Sequence, residues 1–210
     1  MQILVIAATE AEIKPFINTN PQIDVLITGV AVPATMYHLH KRIQQLDYDL
    51  IIQAGIAGSF NPALALGKTV AVKQDCFADA GMEENDNYTP IFETEFADSN
   101  EFPFDNGWLI KIHEYLKTSD LIQVKARTVN KISDSELQKQ QYIKAFNADI
   151  ETMEGAALHY VCLQEKIPFL QIRSVSNFVG ERDKTKWKLK EAIENLNSEL
   201  QKLITELTTA

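Results

Sequence analysis

Three short apolar runs constrain this chain more than any other feature. They are Ile3 to Ala8, Ile23 to Thr28 and Asp49 to Ala54, and helix-like segments separate them. A continuous, β-branched apolar run of this length fits a strand buried on both faces, the habit of parallel sheets. Parallel neighbours need crossovers, and strand–helix–strand–helix–strand order builds a right-handed α/β layered domain. The predicted fold is one α/β domain over residues 1–210, a twisted mixed sheet flanked by helices.

The helices between these runs carry their own signals. Thr9 is a predicted N-cap with Glu12 at the capping-box spacing, for a helix over Glu10 to Ile17. Pro33 is tolerated in the first turn of a helix to Leu46. Gly55-Ile56-Ala57-Gly58 follows the third strand at once and reads as a glycine loop. It is not GxGxxG and lacks a P-loop lysine. It can line a ligand pocket, or it can be a tight turn. A fourth strand is predicted over Gly67 to Gln74.

From Asp75 to Asn106 periodicity disappears into an acidic, aromatic run. A long irregular insert in a compact domain is usually functional, so a substrate-covering or subunit-contact role is expected. Trp108 to Leu116 reads as a helix and Ile122 to Val129 as a strand. Ser133, with Glu136 at the capping-box position, is the predicted N-cap of a helix to Phe146. A short strand, Ala148 to Thr152, leads into a helix near Met153, and Phe169 to Val175 is a further strand. Lys186 to Leu207 reads as a long amphipathic helix packed on the body.

Composition narrows the function. The 210 residues are 45% hydrophobic, enough for a substantial core, and the formal net charge is −9. That balance argues against a phosphate-backbone footprint, so nucleic acid is not an expected partner. Cys76 and Cys162 show no metal-type spacing with His38, His40, His113 or His159, so small buried thiols and no metal are expected. The N-terminal run has no basic region and is not read as a signal peptide. No apolar run reaches the roughly 20 residues of a membrane span. The expected location is the cytoplasm.

The candidates for chemistry are few. Glu12, just past the first strand, can take a proton from water, or it can be a plain capping-box glutamate. Glu151 and Glu154 form an acidic cluster at a helix entry. Glu154 can grip a vicinal diol with its two oxygens, or simply answer the helix dipole. Met153 offers a soft apolar wall to a sugar face. Arg173, inside an apolar strand, needs a partner, with Glu12 and Glu154 as candidates. Ser176 and Asn177 end that strand, where an asparagine often only makes a turn. His159 reads as packing or surface. There is no Ser/His/Asp or Cys/His arrangement.

Together these stretches resemble the nucleoside phosphorylase and nucleosidase superfamily. The resemblance runs through ILVIAATEAEI, ITGV, QAGIAGSF, GKTVAVKQDCFADAG, ETMEGAALHYV and IPFLQIRSVSN, nearly the whole chain in order. It implies a nucleoside phosphorylase-like fold, a small nucleoside substrate, no cofactor and a homodimer or larger homo-oligomer. It implies that Glu12 activates water, with Arg173 close by. Met153 and Glu154 would contact ribose, and Ser176 and Asn177 the purine. Ile56 would line the substrate site. Two arginines that grip phosphate in the phosphorylases have no counterpart in AATEAE or GVAVPA, which implies a hydrolase. Adenine-releasing nucleosidases keep an aspartate where this chain has Asn177. An amide donates where a 6-oxopurine accepts, at O6 and N7, so the resemblance narrows to the futalosine hydrolase branch. Arg182, Lys184 and Lys186 are then candidates for holding a substrate carboxylate. An adenine-releasing nucleosidase and a catalytically silent nucleoside-binding protein are the alternatives.

Overall fold

A computed structural model describes residues 1–117 and 119–209. In chain order the elements are β1 (Ile3–Ala7), α1 (Glu10–Thr19), β2 (Asp24–Ile27), α2 (Val32–Ile43), β3 (Leu50–Ser59) and β4 (Thr69–Asp75). A hairpin follows, β5 (Gly81–Glu84) and β6 (Asn87–Pro90), then β7 (Leu109–Ile110), β8 (Ile122–Thr128) and α3 (Glu136–Phe146). The chain finishes with β9 (Ile150–Thr152), α4 (Gly155–Gln164), β10 (Phe169–Phe178) and α5 (Leu189–Thr209).

The sheet is mixed, as expected, and part of it closes on itself. β3 pairs with β10, β10 with β4, β4 with β8, β8 with β9, and β9 returns to β3. β1 and β2 extend this ring in parallel from the first half of β3. The period-2 alternation of β1 sorts its side chains between two cores. Ile3, Val5 and Ala7 pack with Phe16 of α1 and Leu196, Leu200 and Leu203 of α5. Leu4 and Ile6 pack with Leu39 of α2 and Leu158 of α4. Such fully buried side chains contribute about 1.5–3 kcal/mol each. The ring is filled by Val70, Val72, Val124, Ala126, Ile150 and Val175.

Five expectations need correction. Gly55 to Gly58 is not a loop: β3 runs on to Ser59, because β10 continues beside it. Likewise β10 runs past Val175 to Phe178 and takes in Ser176 and Asn177, with a bulge between Val175 and Asn177. Trp108 to Leu116 is not a helix. Leu109–Ile110 pairs antiparallel with the end of β4, Leu109 inward and Ile110 outward, and only Glu114–Lys117 makes a 3-10 turn. Ser135, not Ser133, caps α3, accepting from the Gln138 N–H at 3.3 Å; the Ser133 hydroxyl accepts from the Ser135 N–H instead. The terminal helix also starts later, at Leu189.

The insert is more ordered than its sequence suggests. Asn85 and Asp86, both at positive φ, make the two-residue turn of the β5–β6 hairpin. Its Tyr88 stacks on Tyr142 of α3, and Phe77 and Phe104 stack with Tyr160 of α4. Both cysteines are buried and free. His159 is fully buried: its Nδ1 is 3.0 Å from the Leu109 carbonyl and its ring packs on Phe169. No helix among the described residues is long and apolar enough to cross a membrane.

Candidate active site

The carboxyl ends of β1, β9 and β10 meet the second half of β3 around a cavity of about 380 Å³. Ligands of α/β sheets sit at such strand ends. Glu12, Ile56, Met153, Glu154, Ser176 and Asn177 all line this cavity. Arg173 does not; it stands buried behind the wall.

Glu12 is held from two sides. Its Oε2 accepts from the Thr9 N–H and the Thr9 hydroxyl, both at 3.0 Å, the return leg of a capping box. Its Oε1 accepts from the Ile56 N–H at 3.1 Å. The capping box is present, and the same carboxylate lines the cavity. Both oxygens are fixed; Oε2 has both acceptor sites used by Thr9, and Oε1 keeps one in reserve.

Glu154 is the N-cap of α4 rather than a first-turn residue, and its side chain does not cap the helix. Its Oε1 accepts from the Ala31 N–H at 3.1 Å, and its Oε2 lies 3.7 Å from Arg173 Nη1. Ala31 has φ 74° and ψ 165°, a conformation close to glycine-only, which aims its N–H at that carboxylate. Burial pushes the Glu154 carboxyl above its ordinary value; Arg173 and the Ala31 N–H pull it back, and Glu12 adds to the rise.

Arg173 donates from Nη2 to Gln53 Oε1 at 2.7 Å. Of its two candidate carboxylates, only Glu154 forms an ion pair with it among the described residues. The guanidinium lies across Gly55, where a Cβ would collide with Nη1 and come 3.1 Å from Glu12 Oε1. The glycine serves close approach of side chains to a strand, not a turn.

Ser176 and Asn177 form a fixed pair. The Ser176 hydroxyl donates to Asn177 Oδ1 at 2.8 Å, and Asn177 Nδ2 donates to the Phe178 carbonyl at 3.0 Å. One Nδ2 hydrogen is left for a ligand, not the two that composition alone allows.

Other lining residues stand in roles that the local reading did not give them. Glu151 receives both the Nε and Nη2 of Arg127 on its Oε2, at 3.1 and 2.9 Å. Its Oε1 has no side-chain partner among the described residues. Burial pushes Glu151 up and Arg127 draws it back; the guanidinium is sandwiched by Phe60 and Tyr142. The alternation of Arg127, Gln171, Arg173 and Gln53 with apolar neighbours is the sequence signal for this buried polar layer. Ile132 and Ser133 line the cavity from the loop before α3. Arg182 and Trp187 line it from the segment before α5, and Trp187 Nε1 donates to the Glu181 carbonyl at 3.0 Å. Of the three tail cations, Lys186 is paired with Glu181 at 2.7 Å, and neither Lys184 nor Lys186 lines the cavity. No residue of the insert lines it, so a substrate-covering role within one chain is not seen. Among the described residues no cluster of His, Cys, Asp and Glu could hold a metal.

Comparison with known proteins bears on the family and the fold. Futalosine hydrolase of Thermus thermophilus is 28% identical over 155 residues, 72% of this chain and 68% of that relative. A 5′-methylthioadenosine/S-adenosylhomocysteine nucleosidase of Buchnera aphidicola is 27% identical over 183 residues, 79% of this chain and 71% of that relative. The fold matches the crystal structure of the Campylobacter jejuni 5′-methylthioadenosine/S-adenosylhomocysteine nucleosidase over all of both chains, with TM-score 0.80 at 19% identity. The family model described as the Phosphorylase superfamily matches residues 22–209, and the chain belongs to that superfamily.

Proposed function

We propose that this enzyme cleaves futalosine, releasing hypoxanthine and dehypoxanthine futalosine, a step of menaquinone biosynthesis. The reaction class is hydrolysis of a nucleoside N-glycosidic bond. The observation that carries the choice of base is the orientation of Asn177. The Ser176 hydroxyl lies nearer Asn177 Oδ1, at 2.8 Å, than the Ala57 carbonyl, at 3.2 Å; with that bond on Oδ1 and one Nδ2 hydrogen on the Phe178 carbonyl, the amide offers the base its remaining N–H. That N–H suits O6 of a 6-oxopurine, whereas N7 accepts in either purine. A 6-amino group there sets donor against donor, a mismatch of about 1–3 kcal/mol.

In this reading Glu12 takes a proton from a water whose oxygen attacks the anomeric carbon. The C–N bond breaks as positive charge grows on the sugar ring. Glu154 holds the ribose hydroxyls, and Arg173 fixes Glu154. The bonding pair leaves with the purine, and the Asn177 N–H stabilises the charge it gains. An amide has no acidic proton to give, so water protonates the departing base. Met153 and Ile56 wall the sugar. At the far end, Trp187 supplies an aromatic face, and Arg182 makes no ion pair among the described residues, so it holds the aromatic carboxylate of the substrate. The working unit is a single domain over residues 1–210, assembled as a homodimer or larger and located in the cytoplasm.

Base release from futalosine, inosine, methylthioadenosine and adenosylhomocysteine, followed by chromatography without phosphate, tests the reading. Hypoxanthine from futalosine is the expected product. Adenine from the thio-nucleosides alone favours the second reading, which the Buchnera relative supports. Binding without release makes this a silent nucleoside-binding protein, and a phosphate requirement overturns hydrolysis. Arg182→Ala should raise KM for futalosine about tenfold, the loss of one charge-assisted contact, and leave inosine unchanged. Equal effects on both substrates remove Arg182 from this role.

A further inference from the structure

Asp75 ends β4 and is wholly buried, outside the lining of the cavity. Its Oδ1 accepts from the Cys76 N–H at 2.8 Å and the Thr128 hydroxyl at 3.0 Å; its Oδ2 accepts from Gln171 Nε2 at 3.3 Å. The Thr128 oxygen accepts in turn from the Ala156 N–H at 2.8 Å and lies 2.9 Å from the Thr152 hydroxyl. Thr152 Oγ1 accepts from the Gly155 N–H at 3.2 Å.

These bonds satisfy the first two N–H groups of α4, the work an N-cap side chain normally does. Glutamate is a poor cap, and the Glu154 side chain makes no capping bond here. An anion beneath a helix N-terminus also answers the helix dipole. The fit is tight: a Cβ on Gly155 would collide with Asp75 Oδ2 and Gln171 Nε2, so the helix starts directly on this carboxylate. Burial pushes the Asp75 carboxyl up to about 7, while Thr128, the Cys76 N–H, Arg173 and Gln171 pull it down.

We propose that Asp75 is a positioning residue: through Thr128 and Thr152 it caps α4 in place of Glu154, which frees the Glu154 carboxylate to face the ligand. This rests on the reading that Glu154 contacts the ligand. Asp75 acts on the reaction only through Glu154 and touches no reacting atom.

A double-mutant cycle tests it, with kcat/KM measured on futalosine, or on methylthioadenosine if that is what the wild type cleaves. Asp75→Ala should cut kcat/KM about fiftyfold in the wild-type background and less than about threefold in Glu154→Gln, since the cycle isolates the coupling. Asp75→Asn keeps an acceptor for Thr128 and should stay within threefold of wild type. Thr128→Val, nearly isosteric, should repeat the Asp75→Ala loss and covers the case where that variant does not fold. Losses that multiply in the Glu154→Gln background mean a general structural role and overturn the proposal. Wild-type kcat/KM in Glu154→Gln alone is a different result; it overturns the role of Glu154 itself.

Discussion

Gly55 leaves the site no spare volume. Its missing Cβ is where Arg173 Nη1 lies, with Glu12 Oε1 at 3.1 Å from the same point. Alanine in an extended segment normally gains a little stability by restricting the unfolded chain. Here the methyl must push out a guanidinium held by Gln53 and Glu154. Gly55→Ala should lower kcat/KM about 10²-fold, the order expected for a misplacement near 1 Å. It should also lower stability by about 1–3 kcal/mol through overpacking. Steady-state kinetics and urea melts check both, and wild-type kinetics in that variant would show that Arg173 needs no fixed seat. The sequence singled out Glu12, Glu154 and Arg173, but local rules left Glu12 and Glu154 open between capping or helix-dipole roles and a site, and only the resemblance chose. Glu12 and Glu154 are charges at strand-to-helix corners, and Arg173 is a cation in an apolar strand. What Gly55 accommodates was not legible, since its partner is 118 residues away in the chain and is fixed by strand register.

At the scale of elements, β3 and β10 do most of the placing. Their parallel register sets Arg173 opposite Gly55, and the bulge after Val175 brings Asn177 opposite Gly58. A bulge re-aims side chains, which is why Ser176 and Asn177 sit inside a strand and still face the cavity. β8 and β9 are tied by a different device, the Arg127–Glu151 pair, with side chains 2% and 7% exposed. Removing one partner of such a pair strands the other. Arg127→Met should cost about 3–5 kcal/mol in urea unfolding, and adding Glu151→Leu should recover much of it. A double variant no more stable than the single one would show that the pair is not the cause. Strands with continuous apolar runs were readable from sequence. The Trp108 to Leu116 segment was not, because its apolar residues suit a helix while the open edge of β4 claims Leu109–Ile110. The β5–β6 hairpin had a readable turn, Asn85-Asp86, hidden in an otherwise acidic run.

The whole molecule is a closed ring with a two-strand extension, and the closure was not visible in the sequence. Which strands pair is decided by long-range register, so a list of strands leaves open sheet and ring equally possible. Three of the four cores among the described residues follow from that topology, one on each face of β1 and one inside the ring. The site draws on widely separated parts of the chain. Glu12 comes from the first helix, yet α5 seats it: Asn197 Oδ1 accepts from the Phe16 N–H at 3.0 Å, and Asn197 Nδ2 donates to the Glu12 carbonyl at 2.8 Å. Those bonds span α1 at its Pro15 bend, and Asn197 is 7% exposed. This has a consequence for the timing of synthesis. A nascent chain carries Glu12 well before Asn197 is made, and the strands that frame the cavity emerge one after another in between. The clasp on α1 closes only when Asn197, 185 residues further along the chain, has been made, so the Glu12 carboxylate gains its final seat long after its own helix has emerged.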